Sequence, residues 1–384
     1  MTTIITETDA LAEVCERFRQ SPYITIDTEF VRETTFWPDL CLVQIAMDDD
    51  AVLIDPLAKG IDLAPLIALL EDQTVIKVFH SARQDLEIFY KLMGSVPMPL
   101  FDTQVAAMVC GFGDQIAYDQ LVKRLTGAHI DKTSRFTDWK RRPLTEKQTD
   151  YALADVTHLR DVYRLLSEQL EETGRAGWVT EEMSLLENPE TYDMPPENAW
   201  QRMKMRVRKP LDFQIMRDLA QWREETARER NVPRNRVMKD DAIYEIAQQQ
   251  PITVQALSRL RAVPRGLEKS SKASAIIRIV EAAKELDPDD LMRVPRPPAS
   301  QEGTGAAVDL LRIYLKIVSE REGVAAKVLA TTADLEALAN LGEDADIAAL
   351  SGWRRELFGE SALQLVAGKL AIRFSDRALT VEPV

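Results

Sequence analysis

The sequence predicts an α/β domain of mixed sheet and flanking helices over residues 1–175, a linker at 176–207, and two small all-α modules at 208–292 and 305–384. Three observations carry that prediction. Apolar runs with the two-residue period of strands alternate with stretches of helical period in the first part of the chain. Proline-bearing breaks interrupt the periodicity at Asn188–Pro196 and Val294–Gly305. An internal repeat relates the two pieces that follow. Leu219, Val232, Ile243 and Ala247 recur as Leu311, Val324, Leu335 and Ala339 at a spacing of 92, and Ala256-Leu-Ser258 recurs as Ala349-Leu-Ser351 at 93.

In chain order, Tyr23–Asp27 alternates as a strand, with Asp27-Thr-Glu29 at its end, and Leu40–Met47, Ala51–Ile54 and Thr74–Phe79 are further apolar runs. Short connections make the first three an antiparallel meander, and Asp62–Leu70 and Ser81–Met93 are helices around the fourth. Ser81 with Gln84 predicts a capping box that sets Asp85 in a first helical turn. Thr145 with Gln148 predicts another, after which Ala152, Val156, Leu159, Tyr163, Leu166 and Leu170 form one apolar stripe up to Gly174. The tail from Leu370 to Val384 alternates like a strand.

With 45% hydrophobic and 29% charged residues in a chain of 384, disorder and collagen-like structure are excluded. The net charge of −14 argues against a generic nucleic-acid coat, yet the charge is uneven. Between Gln201 and Asp240 there are 12 basic against 6 acidic residues, and between Lys123 and Arg142, Lys132 included, 7 against 2. Either run reads as a solvated face or as a polyanion contact. Cys15, Cys41 and Cys110 are too few and scattered for a disulfide scaffold or a zinc knuckle. No secretory leader pattern and no apolar run long enough for a membrane helix is present, so a cytoplasmic protein is expected. Without a GxxxxGK[ST] loop, no use of ATP is expected.

Three features can carry chemistry. Asp27 and Glu29 lie two apart on a strand and project from one face, a bidentate perch for a hard cation or simply an exposed acidic pair. Tyr151 and Asp155 lie four apart on a helix, so the phenol stacks one turn from the carboxylate. Asp85, early in its helix, fits a ligand or an acid that complements the helix dipole. His80, His129 and His158 lack zinc-hydrolase spacing. Gln44, inside an apolar strand, is expected as a satisfied core amide. Phe30 and Trp139 fit either base stacking or core packing.

Taken together, these residues resemble the DEDD exonuclease superfamily in its tyrosine branch, and around the motifs the ribonuclease D family. The segments carrying the likeness are Thr25-Ile-Asp-Thr-Glu-Phe30, Leu40-Cys-Leu-Val-Gln-Ile-Ala46, His80-Ser-Ala-Arg-Gln-Asp-Leu-Glu87, Phe101-Asp-Thr103, Asp138-Trp-Lys-Arg-Arg-Pro-Leu144 and Tyr151-Ala-Leu-Ala-Asp-Val156. Leu219 to Arg234 resembles a helicase-and-ribonuclease-D C-terminal (HRDC) module, and the repeat after Gly305 resembles a diverged second copy.

The resemblance implies an RNase H-like exonuclease domain that cleaves RNA from its 3′ end and releases nucleoside 5′-monophosphates. Two divalent ions, Mg²⁺ or Mn²⁺, would be held by Asp27, Glu29, Asp85 and Asp155. By that analogy Asp27 bridges the ions, Glu29 and Asp155 serve the one that carries the attacking water, and Asp85 supports the other, in part through water. Tyr151 orients the water rather than acting as a base, since an unperturbed phenol has a pKa of about 10. Phe30, His80, Arg206, Arg208 and Arg234 are the candidate substrate contacts. The implied partner is RNA, with tRNA precursors bearing 3′ extensions as substrates, and the implied state is a monomer. A DNA 3′-end exonuclease and a non-catalytic RNA-binding adaptor are the alternatives.

Overall fold

The computed structural model describes residues 3–131, 133–135, 137–295 and 303–384, with the side chain of Glu268 excluded. Lys132 and most of the second proline-bearing break, residues 296–302, lie outside the described residues. A six-stranded mixed sheet runs in the order β1-β4-β3-β2-β5-β6, from β1 (Ile4–Ile5), β2 (Tyr23–Val31), β3 (Asp39–Met47), β4 (Asp50–Ile54), β5 (Ile76–Phe79) and β6 (Leu100–Asp102). β3 and β4 pair antiparallel, while β1 with β4, β2 with β5 and β5 with β6 pair parallel. β2, β3 and β4 are neighbours in chain order, as expected of a meander. β1 and β6, two and three residues long, were too short to show a period. β2 also runs on to Val31, so Asp27 and Glu29 sit inside the strand rather than at its end.

Helices α1 (Thr8–Phe18), α2 (Ala64–Leu70), α3 (Arg83–Met93), α4 (Thr103–Val109), α5 (Tyr118–Thr126) and α6 (Glu146–Glu172) accompany the sheet. The capping box at Thr145 forms: its amide donates to Gln148 Oε1 at 3.0 Å, and the Gln148 amide donates to Thr145 Oγ1 at 3.3 Å. The one expected at Ser81 does not. Ser81 has φ +61°, and α3 starts two residues later. The Asp102 carboxylate does the capping instead, accepting the Ser81 and Ala82 amides at 2.9 and 2.8 Å and the Gln104 amide of α4 at 2.8 Å. A carboxylate accepts several amides at once, which a serine hydroxyl in that backbone geometry does not.

The expected linker is itself helical, with α7 at Ala176–Glu187 burying Val179 and Met183. The remaining helices are α8 (Pro210–Glu229), α9 (Arg234–Val237), α10 (Asp240–Gln249), α11 (Val254–Ser258), α12 (Ser271–Glu285), α13 (Thr304–Glu322), α14 (Ala326–Leu329), α15 (Thr332–Leu341), α16 (Gly352–Arg354) and α17 (Glu360–Val366). The repeat seen in the sequence is visible in this order. A long helix, a four-residue helix and a ten-residue helix occur as α8, α9, α10 and again as α13, α14, α15. The last module is not wholly helical: Leu370–Ser375 and Ala378–Pro383 pair as an antiparallel hairpin, β7 and β8, which is where the tail's alternation leads.

The chain divides into two compact units. The first comprises Met1–Glu29, Cys41–Asn188 and Pro298–Val384, and the second Phe30–Leu40 with Pro189–Pro297. In the first, the C-terminal module is tied to α4 and α7. Trp353 stacks on Trp178 at 4.2 Å, the Ala325 amide donates to Met108 O at 2.8 Å, and Arg354, 4% exposed, pairs with Glu181 and Glu182. In the second, a core of Phe213, Met216, Leu219, Ile243, Ile246, Ile276 and Val280 forms around α8. Asn231 Oδ1 accepts the amides of Phe36 and Trp37, each at 3.1 Å, and Arg228 and Arg234 lie over the Phe36 ring. Among the described residues, no helix is long and apolar enough to cross a membrane.

Candidate metal centre and active site

The site is assembled in the first unit by three elements. Ile24 and Ile26 are fully buried and anchor β2, leaving Asp27 and Glu29 partly exposed. Thr25 Oγ1 donates to Val156 O at 2.8 Å and fastens β2 to α6 beside Asp155. On α6 the apolar stripe Ala152, Val156, Leu159 and Leu166 is buried, so Tyr151 and Asp155 are held at the edge of the packed face. Each fully buried Leu or Val contributes about 1.5–3 kcal/mol to that packing, which makes α6 a firm mount.

One carboxylate oxygen each from Asp27, Glu29 and Asp155 lies within 4.8 Å of the others. Asp85 stands outside that trio. It is 7% exposed in the first turn of α3 and accepts the Thr28 hydroxyl. Removal from water pushes Asp27 well above the usual carboxylate range, and the charge of Asp155 adds to it. Glu29 is pushed up to about 10 by the same loss of water and by the charges of Asp27, Asp155 and Asp85, with Arg135 the cation opposing them. Burial raises Asp85 too, helped by Asp27. Like charges this close, with so little positive charge opposing them, are stable together only when protonated or when a cation joins them. Hard carboxylate oxygens, partly open to water, fit Mg²⁺ or Mn²⁺.

Burial pushes the Tyr151 phenol well above its ordinary value, reinforced by Asp155, Glu29, Asp27 and a hydrogen bond to Asp155. It is a neutral donor, unsuited to take a proton. Sequence reasoning missed Tyr118, which stands in the same field. Burial and the charges of Asp155 and Asp27 raise it, its hydroxyl donates to Ala154 O at 3.2 Å, and its ring lies 5.2 Å from that of His80. The helical period of Tyr118, Leu121, Val122 and Leu125 marks a helix there, but only the fold brings its phenol into the field of Asp155. His80 follows β5, with Nδ1 2.9 Å from Thr103 Oγ1, and burial lowers its pKa.

Trp139 packs in the core at 3% exposure, with its ring 6.2 Å from Tyr151. Gln44 is fully buried, but neither amide atom has a hydrogen-bond partner among the described residues, so it is not the satisfied core amide expected. The other candidate contacts belong to the second unit. Phe30 is half-buried, Arg206 pairs with Asp241 at 2.9 Å over the Tyr244 ring, and Arg208 is exposed. Arg234 is engaged by Glu224 at 2.5 Å and by Phe36, 4.4 Å beneath its guanidinium.

Residues 2–171 match the 3′-5′ exonuclease family model, and residues 212–278 match the HRDC domain model. Ribonuclease D of Nitrobacter hamburgensis is 52% identical over 369 residues, 96% of each chain. Ribonuclease D of Gluconacetobacter diazotrophicus is 49% identical over 96% of this chain and 94% of its own. The crystal structure of Escherichia coli RNase D, an exoribonuclease involved in structured RNA processing, aligns with a TM-score of 0.85 at 32% identity, covering 96% of this chain and 99% of that one.

Proposed function

Because this chain belongs to the ribonuclease D family, and is therefore a nuclease hydrolase, we propose that it removes nucleotides one at a time from RNA 3′ ends using two divalent cations. Its substrates are proposed to include tRNA precursors with 3′ extensions, met in the cytoplasm. The observation that carries the reading is the convergence of Asp27, Glu29 and Asp155 oxygens within 4.8 Å, with Tyr151 bonded to one of them.

Asp27, Glu29 and Asp155 would hold the cations, with Asp85 supporting them from the start of α3. When bound, such ions lower the pKa of water and offset negative charge on the leaving oxygen. Tyr151, its hydroxyl donated to Asp155, would offer its oxygen as acceptor to the water and so fix the direction from which water approaches phosphorus. Water oxygen adds to phosphorus as the P–O3′ bond breaks, leaving a new 3′-hydroxyl on the shortened RNA and a nucleoside 5′-monophosphate. The basic run from Gln201 to Asp240, carrying exposed Arg206 and Arg208, supports a polyanion-binding role for the HRDC module. The module from Gly305 onward is proposed as its diverged copy, on the recurrence of α8, α9 and α10 as α13, α14 and α15.

End-labelled RNA and DNA oligomers incubated with Mg²⁺, Mn²⁺ or chelator test this. Metal-dependent release of mononucleotides from RNA is the expected result. Equal trimming of DNA would shift the specificity, and binding without release would make the chain an adaptor.

A further inference from the structure

We infer that the ion pair between Asp55 and Arg142 is a positioning device for Tyr151, an inference that rests on the water-orienting role proposed for that phenol. Arg142 has five N–H donors, and every one has an acceptor. Nε reaches Asp55 Oδ2 at 2.6 Å. One terminal nitrogen reaches Asp55 Oδ1 at 2.7 Å and Cys41 O at 2.6 Å. The other reaches Trp139 O at 2.7 Å and Arg141 O at 3.0 Å.

These acceptors fall into two groups. Asp55, 6% exposed, directly follows β4, and fully buried Cys41 is in β3, so one half of the fork is fixed to the sheet. Trp139 and Arg141 belong to the segment that leads into the Thr145 cap of α6, so the other half holds that segment down. The buried indole N–H of Trp139 has no hydrogen-bond partner among the described residues, so no polar contact of its own with them fixes the ring. Its place is set by packing and by the backbone that Arg142 grips. That ring lies beside Tyr151, tilted 35° to it. One guanidinium thus governs both the start of the helix that bears the phenol and the surface against which the phenol rests.

A planar fork can satisfy a carboxylate and three carbonyls at once, whereas a lysine ammonium cannot. Arg142→Lys keeps the charge opposite Asp55 and gives up the geometry. Because a reacting group displaced by a fraction of an ångström loses rate rather than binding, kcat on single-stranded RNA is expected to fall about tenfold, with KM and the Mg²⁺ half-saturation changing less than about twofold. The deciding readout is a double-mutant cycle with Tyr151→Phe. If Arg142 acts through the phenol, Arg142→Lys changes kcat less than about twofold once the hydroxyl is gone. Asp55→Asn, which keeps one acceptor oxygen but replaces the other with an N–H donor and loses the charge, is measured in the same cycle and carries the test if Arg142→Lys does not fold. Equal losses in both backgrounds, or no loss in the wild-type background, would overturn the inference while leaving the reading of Tyr151 intact. A Tyr151→Phe enzyme as fast as wild type would instead overturn that reading, and the inference with it.

Discussion

Glu224, in the second unit, is only 2% exposed, and burial pushes its pKa up. The hydrogen bond and charge of Arg234, with the charge of Arg228, nonetheless hold the carboxyl below its usual range. Glu29, in the first unit, is pushed up to about 10, first by loss of water and then by the charges of Asp27, Asp155 and Asp85 around it. Burial pushes both carboxyls up; the sign of the neighbouring charge decides whether that push is reversed, as at Glu224, or reinforced, as at Glu29. The site around Glu224 balances its charge within the protein. The site around Glu29 does not, and that imbalance costs stability unless a cation arrives from outside.

The contrast is sharpest where an acid is removed. Asp27→Ala or Asp155→Asn should lower turnover on RNA by on the order of a thousandfold, the scale lost with charge stabilisation at a reacting centre. RNA affinity, measured by filter binding, should stay within about threefold, because phosphate contacts elsewhere carry it. Tyr151→Phe comes next, with a loss of on the order of a hundredfold in kcat and no change in Mg²⁺ half-saturation, read from initial rates.

Glu224→Gln should do the reverse. It weakens the charge-assisted bonds to Arg234 and Arg228 and should cost about 2 kcal/mol in urea unfolding, with kcat unchanged. If it lowered kcat more than stability, the two carboxylate sites would not be separable in the way described.

Stability should also depend on pH. Unfolded, Glu29 loses its proton near the ordinary value of about 4.3. Folded and without metal, it keeps the proton until about 10. Between those values the folded state binds more protons, so stability should fall as pH rises through the window. Asp27→Asn should flatten that fall by removing one of the charges that raise Glu29, and saturating Mg²⁺ should flatten it further. Urea midpoints at roughly pH 6 and 9, with chelator and with Mg²⁺, check the sign.

Much of this was readable in the chain because period locks side-chain direction. The two-residue period of β2 put Asp27 and Glu29 on one face, and the stripe on α6 fixed Tyr151 and Asp155 beside each other. What stayed hidden depends on contacts distant in sequence. Asp102 displaced Ser81 as the cap before α3, Tyr118 reached the field of Asp155, and Arg142 found Asp55 on the far side of the sequence. Arg234, read as a substrate contact from its charge alone, has a buried partner that only tertiary packing brings to it. A charge on a sequence does not announce whether the fold will use it internally.

The most direct test of the whole account is calorimetric titration of Mn²⁺ into the metal-free enzyme in buffers of different ionisation enthalpy. Saturable binding accompanied by proton release, with both lost in Asp27→Asn, is the predicted result. Binding without proton release, or binding unchanged in Asp27→Asn, would contradict the claim that these acids are held protonated for want of a cation.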